Sequence, residues 1–150
     1  MEKEIINMKK YSFHILRVGL AITFLWIGIL IFKDPLAWGG YLAPWAANLL
    51  PIPLEQAMIG TAVLDIVIGI FLLIDVWTWL AALVGAIHLV IVLTISGINA
   101  ITVRDIGLLA GVIALAVSAW PGIKPINNPQ STPKDSDLSR SLGGQATDNS

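Results

Sequence analysis

Long apolar stretches separated by short polar or turn-forming breaks run through the first 120 residues of the chain. Four of these stretches reach the length of about 20 residues that an α-helix needs to cross the hydrocarbon core of a bilayer. Successive helices joined by short connections run antiparallel. We therefore predict an all-α integral membrane protein, an antiparallel bundle of four transmembrane helices at Phe13–Phe32, Leu54–Ile74, Val76–Ser96 and Val103–Trp120.

The breaks between these helices differ in character. Asp75 alone separates the second helix from the third, which predicts a tight hairpin. Residues 34–53 follow the first helix and carry four prolines, which exclude a continuous helix. Because Trp38, Tyr41 and Trp45 recur there at helical spacing, we expect this segment to lie in the membrane interface and to cover one end of the bundle.

The two ends of the chain flank a single membrane domain at residues 13–120. Residues 1–12 form an N-terminal segment, and residues 121–150 are polar and rich in turn formers, which is typical of a disordered tail. Basic residues are concentrated in these ends, so the positive-inside rule predicts that both termini are cytoplasmic. The basic residues of the ends are Lys3, Lys9, Lys10, Lys124, Lys134 and Arg140.

Composition supports a membrane protein and excludes several functions. Only 13% of the residues are charged, whereas soluble domains carry about 25%. The chain has no cysteine, which excludes disulfides, thiol chemistry and cysteine-bound metals of its own, and we expect no metal site. A net charge of −1 without a basic patch argues against nucleic-acid binding.

Two ionisable side chains lie deep in the predicted bundle. Asp65 stands in the apolar stretch GTAVLDIVIGIFLLI, roughly 16 Å from the start of its helix at 1.5 Å per residue. His88 lies roughly 12 Å from the end of the next helix, at the end of the bundle where the Asp65 helix begins. The hairpin makes the two helices neighbours, so the carboxylate can hold the imidazole in one tautomer and stabilise its cation.

Further polar and aromatic residues extend from this pair to the end of the bundle opposite the termini. They include a hydroxyl one turn before Asp65, an Arg-Asp pair opening the fourth helix, a lysine ending the first helix and two tryptophans that could line a covered pocket. We predict His88 and Asp65 as catalytic groups. The predicted ligand-binding residues are Thr61, Arg104, Asp105, Trp26, Trp38 and Lys33.

Structural interpretations stand beside these functional ones. The Asp65–His88 pair could fix the register of two helices without binding a ligand. Asp105 could complement the dipole at the start of the fourth helix. Arg17 lies near the cytoplasmic end of the first helix, where we expect its side chain to reach the lipid headgroups and anchor the topology.

Three stretches of the sequence resemble the DoxX family of small four-helix membrane proteins. They are LRVGLAITFLWIGILIFKDPLAW, LVGAIHLVIVL around His88 and GINAITVRDIGLLAGVIAL, and the resemblance spans about residues 13–120. It implies a multi-pass protein of a bacterial or archaeal plasma membrane. It also implies a link to membrane redox chemistry, since some members are subunits of a thiosulfate:quinone oxidoreductase and others partner soluble oxidoreductases.

Three hypotheses follow from the residues and the resemblance. In the first, the chain is a redox-associated membrane subunit that binds a quinone or similar lipophilic ligand in the outer half of the bundle. Its electrons would come from a partner, because the chain has no cysteine and only two histidines. In the second, it is a non-catalytic scaffold that anchors a soluble oxidoreductase. In the third, it is a small proton-coupled carrier. Each is compatible with a homo-oligomer.

Overall fold

The computed structural model describes residues 2–122, and the regular elements in this part of the chain are all helices. Four of the helices are long and apolar enough to cross a membrane, which confirms the predicted fold class. The predicted tail lies outside the described residues from residue 123 onwards. The helices are α1 (Glu2–Lys33), α2 (Pro35–Gly39), α3 (Pro44–Asn48), α4 (Leu54–Ile74), α5 (Thr78–Ser96) and α6 (Ala100–Ser118).

Two long helices begin earlier than the apolar pattern predicts. Helix α1 starts at Glu2 and so continues through the N-terminal segment. Helix α6 starts at Ala100 rather than Val103, because Asn99 and Thr102 form a capping box. The Asn99 side chain accepts a hydrogen bond from the Thr102 N–H at 3.1 Å, and the Thr102 hydroxyl accepts one from the Asn99 N–H at 2.8 Å. These bonds satisfy donors that a helix start otherwise leaves free.

Residues 34–53 form a connector between α1 and α4, as predicted, and contain the short helices α2 and α3. A proline begins each short helix, where its missing N–H has no helical partner to lose. The N–H of Ala43 donates to the carbonyl of Ile95 at 2.9 Å, which ties the connector to the last turn of α5. We call this the connector end of the bundle and the opposite end, which carries residues 75–77, the hairpin end.

The four long helices associate as two pairs, α1 with α4 and α5 with α6. The first pair is closely packed because a glycine on each helix faces the backbone of the other. A Cβ at Gly28 would lie 2.8 Å from the carbonyl oxygen of Ala62, and a Cβ at Gly69 would lie 2.9 Å from the amide nitrogen of Leu25. Without a hydrophobic force between helices in lipid, such close packing is a main source of their association.

Apolar side chains fill the half of the bundle nearer the hairpin end. Leu72 on α4 and Val112 and Leu115 on α6 are completely buried there, together with Ala21 on α1 and Ala82 on α5. This packing closes the bundle between Asp65 and the hairpin end.

Arg17 corrects one expectation from the sequence. Its side chain is buried, with a relative exposure of 6%, instead of reaching the headgroups. The guanidinium donates to the carbonyl oxygens of Leu72 and Leu73, the latter at 3.0 Å, and its Nε lies 3.5 Å from Oδ1 of Asp75. The last carbonyls of a helix have no partners within it, so Arg17 satisfies the end of α4 and fixes α1 to the hairpin.

We predict that Gly69→Ala destabilises the bundle by about 1–3 kcal/mol, because the added methyl group meets the backbone of α1. Gly60→Ala on the same helix is the matched control, since a Cβ at Gly60 meets no atom within 4 Å. The control should leave stability unchanged or raise it slightly. Equal unfolding midpoints of the two variants in mild detergent would contradict the close packing.

We predict that Arg17→Met lowers the free energy of unfolding by about 2 kcal/mol, because it leaves two carbonyl groups of α4 without their charged donor. Asp75→Asn should have a smaller effect, because the Asp75 side chain is 48% exposed and its ion pair is screened. Reversible unfolding of both variants in detergent measures the difference. A larger loss in Asp75→Asn would show that the ion pair matters more than the helix cap.

Candidate functional site

A pocket lies at the connector end, lined by residues of α1, α4, α5, α6 and the connector. Its cavity volume is about 80 Å³, several times the roughly 10–15 Å³ that one water molecule requires. Its apolar lining includes Phe24, Ile27, Ile31, Leu42 and Met58. Its polar lining comprises Thr61, Asp65, His88, Ser96, Asn99, Thr102, Arg104 and Asp105, with Trp38 and Tyr41 from the connector.

Asp65 and His88 meet at the deep end of this pocket. Nε2 of His88 lies 3.2 Å from Oδ1 of Asp65, and the two side chains are 11% and 5% exposed. Asp65 lies on α4 and His88 on α5, so their contact joins the α1/α4 helix pair to the α5/α6 helix pair. The sequence predicted this contact from matching depths, and the structure brings the two groups together.

Several polar atoms around the pair are available to a ligand. With Nε2 directed at Asp65, Nδ1 of His88 makes no hydrogen bond to residues 2–122, and neither does the second carboxylate oxygen of Asp65. The hydroxyls of the exposed Thr23 and Thr94 bond to carbonyls one turn earlier in their helices. Thr61, in the pocket, makes no such bond within the described chain.

These atoms also have open space beside them. Within residues 2–122, the one buried side-chain nitrogen or oxygen without a hydrogen-bond partner is Nε of Arg17. The free atoms of Thr61, Asp65 and His88 therefore contact a cavity or solvent instead of being enclosed by apolar groups. Unpaired polar atoms in a membrane interior are costly, so a polar molecule in the pocket would stabilise them.

Arg104 and Asp105 form a second polar group on the α6 side of the pocket. Nη2 and Nε of Arg104 both donate to Oδ1 of Asp105, at 3.0 and 3.1 Å. Asp105 is buried whereas 47% of the Arg104 side chain is exposed, so the pair leads from the pocket towards the surface. Because α6 begins at Ala100, Asp105 lies beyond its first turn, where the helix dipole that the structural interpretation requires has faded.

The predicted aromatic and lysine positions divide into two sets. Trp38 lines the pocket and makes an edge-to-face contact with Tyr41, with ring centroids 6.2 Å apart. Trp26 is 64% exposed on the outer surface of α1, and Lys33 is exposed at the end of that helix. Neither of these two residues lines the pocket.

Sequence reasoning overlooked four polar lining residues, Tyr41, Ser96, Asn99 and Thr102. A signal existed for three of them. Tyr41 follows Trp38 by three residues in a segment expected to cover the bundle, and Asn99 precedes Thr102 by the three residues of a capping box. Ser96 ends a uniformly apolar helix and carries no distinguishing pattern.

The pocket thus combines a broad apolar wall on α1 and α5 with hydrogen-bonding groups on α4, α5 and α6. Such a lining suits a flat apolar ligand that carries one or two oxygen atoms. In the part of the chain that the structure describes, no three His, Cys, Asp or Glu side chains are grouped to hold a metal ion.

We predict that His88→Leu destabilises the protein by roughly 1–3 kcal/mol, because it leaves the Asp65 carboxylate buried without its donor. The double variant Asp65→Leu/His88→Leu should recover most of this loss, since both partners leave together. Unfolding in detergent of both single variants and the double variant completes the cycle. If the stability loss of the double variant equals the sum of the losses of the two single variants, the two groups do not interact.

Comparison with known proteins identifies the family. No curated protein and no solved structure matches the chain significantly. The sequence model of one family, described as DoxX, matches residues 12–99. This match covers more than half of the chain, including Asp65, His88 and the connector, and ends just before α6 with Arg104 and Asp105. The chain therefore belongs to the DoxX family of membrane proteins.

Proposed function

We propose that this protein binds a quinone or a similar lipid-soluble carbonyl compound in the connector-end pocket, as the membrane subunit of a redox system. The observation that carries the proposal is the buried Asp65–His88 pair with free polar atoms beside it in a largely apolar pocket. A pair that served packing alone would need no adjoining cavity. The polar atoms and the apolar wall match the oxygen atoms and the ring of such a ligand.

His88 is the group placed to exchange a proton with the ligand. Its Nε2 lies 3.2 Å from Oδ1 of Asp65, so a proton on Nε2 can be donated to the carboxylate, which would fix the tautomer and leave Nδ1 as the free ring nitrogen. Neutral Nδ1 can accept a proton from a ligand hydroxyl, and protonated Nδ1 can donate to a carbonyl oxygen. The Asp65 carboxylate stabilises the imidazolium that forms in between. A quinone, when bound, supplies the two-electron carbonyl chemistry, and the chain supplies position and proton.

The remaining polar residues support binding and proton exchange. The free hydroxyl of Thr61 lies one turn from Asp65 on the same helix and can hydrogen-bond a second oxygen of the ligand. Asp105 lines the same pocket as Asp65, and Arg104 connects Asp105 to the surface. Protons would pass between this pair and His88 through water in the pocket.

The proposal includes an orientation and a partner. With both termini in the cytoplasm, as the positive-inside rule predicts, the pocket opens towards the outer leaflet of the plasma membrane. We place the electron donor or acceptor in a soluble oxidoreductase that docks on the bundle. A homo-oligomer is compatible with this arrangement but is not required by it.

We predict that the protein purified in mild detergent contains close to one quinone per chain, and that His88→Ala abolishes this occupancy. Organic extraction followed by mass spectrometry measures both. The matched control is Thr94→Ala, on the same helix but exposed and outside the pocket, whose hydroxyl bonds its own helix. The control should retain the quinone of the native protein.

Equal quinone in the native protein and in His88→Ala would overturn the proposal, because the quinone would then be carried by the detergent micelle. Loss of quinone in His88→Ala together with loss of the fold would be uninformative by itself. Asp65→Leu/His88→Leu therefore serves as the second variant, since both buried polar groups leave together. A folded double variant that still binds quinone would remove the site and leave the pair as a structural element of a scaffold.

A further inference from the structure

A second concave region lies at the hairpin end, on the side of the bundle away from the connector-end pocket. It is a groove of about 860 Å³ for water-sized molecules, formed by the first part of α1, the hairpin residue Asp75 and the last residue of α6, Ser118. Its lining includes Lys9, Lys10 and His14. None of these residues takes part in the site proposed above.

The groove lies at the level of the lipid headgroups. Helix α1 has 32 residues and is therefore roughly 48 Å long, whereas the hydrocarbon core is about 30 Å thick. Arg17 contacts the last turn of α4, so the part of α1 that precedes it extends past the end of that helix. At this end the rings of Trp79 and Trp120 stack edge to face at 5.2 Å, and tryptophan is enriched at the membrane interface.

The charges of the groove are unbalanced in favour of an anion. Asp75, its acidic lining residue, is already paired, since its Oδ1 accepts from the Thr78 hydroxyl at 2.7 Å and lies 3.5 Å from Nε of Arg17. The ammonium groups of Lys9 and Lys10 form no salt bridge within residues 2–122. Two positive charges therefore face a groove whose single acidic side chain is neutralised.

The groove is also apolar on the side nearer the bilayer. Phe13 and Leu16, which follow the two lysines along α1 towards the bilayer, contribute to its lining. A soluble anion would gain nothing from these side chains, whereas an amphipathic molecule with a phosphate at one end and hydrocarbon at the other would contact both. From this juxtaposition we infer that the groove binds an anionic phospholipid, with the phosphate between Lys9, Lys10 and His14 and the acyl chains along Phe13 and Leu16.

The inference is tested on the full chain in detergent by titration with phosphatidylglycerol or with phosphatidylcholine of the same acyl chains. Native mass spectrometry counts the bound lipids. We expect phosphatidylglycerol to bind at least tenfold more tightly than phosphatidylcholine. Lys9→Gln and Lys10→Gln should each weaken its binding by roughly fivefold, because one basic residue at a membrane surface is worth about 1 kcal/mol.

Lys3→Gln is the matched control, because Lys3 lies on α1 but outside the groove. It should weaken binding less than twofold. Equal losses in all three variants would overturn the inference, because they would indicate general attraction to a basic helix. The same holds if the native protein shows no preference between the two lipids. Displacement of phosphatidylglycerol by millimolar inorganic phosphate would also overturn it, in favour of a site for a soluble anion.

Discussion

The contact between the Asp65 carboxylate and the His88 imidazole connects the two helix pairs at the depth where a charge is hardest to accommodate. Asp65 belongs to the α1/α4 pair and His88 to the α5/α6 pair. Buried polar groups in a bilayer interior must find partners because no water is available there. The close packing at Gly28 and Gly69 holds Asp65 in place, and the pocket lies between the two pairs at the connector end.

The two ends of the bundle use their polar residues differently. At the hairpin end, the buried guanidinium of Arg17 satisfies carbonyls of α4, and apolar side chains fill the space between the helices. At the connector end, Thr61, Asp65 and His88 keep polar atoms directed to open space beneath Trp38 and Tyr41. The proposal therefore assigns Arg17, which completes the backbone of α4, to stability, and the groups with unused hydrogen bonds to ligand binding.

The helices and the central pair could be predicted from the sequence because both depend on position along the helix axis. The length of an apolar stretch determines whether it spans, and counting residues from each helix end placed Asp65 and His88 at similar depth. The rotation of each helix about its own axis, which decides the side chains that face the bundle interior, could not be predicted. In lipid the outer face of a helix is as apolar as its inner face, so the pattern did not separate the exposed Trp26 from the pocket residue Trp38.

The burial of Arg17 could not be predicted from the sequence either. Its burial depends on how far α1 extends past the end of α4, and that register is determined by the contacts at Gly28 and Gly69 rather than by local sequence. The start of α6 is a different case. Asn99 and Thr102 have the spacing of a capping box in the sequence, but the apolar pattern indicates a later helix start, at Val103.

The most direct test of a ligand site at the connector end is photolabelling of the intact protein with an azidoquinone, followed by peptide mapping. The account predicts labels in the connector near Trp38 and Tyr41 and on α5 or α6 between His88 and Leu108, all suppressed by excess unlabelled quinone. Labels spread over the lipid-facing surface of α1 around Trp26, and insensitive to competition, would contradict it.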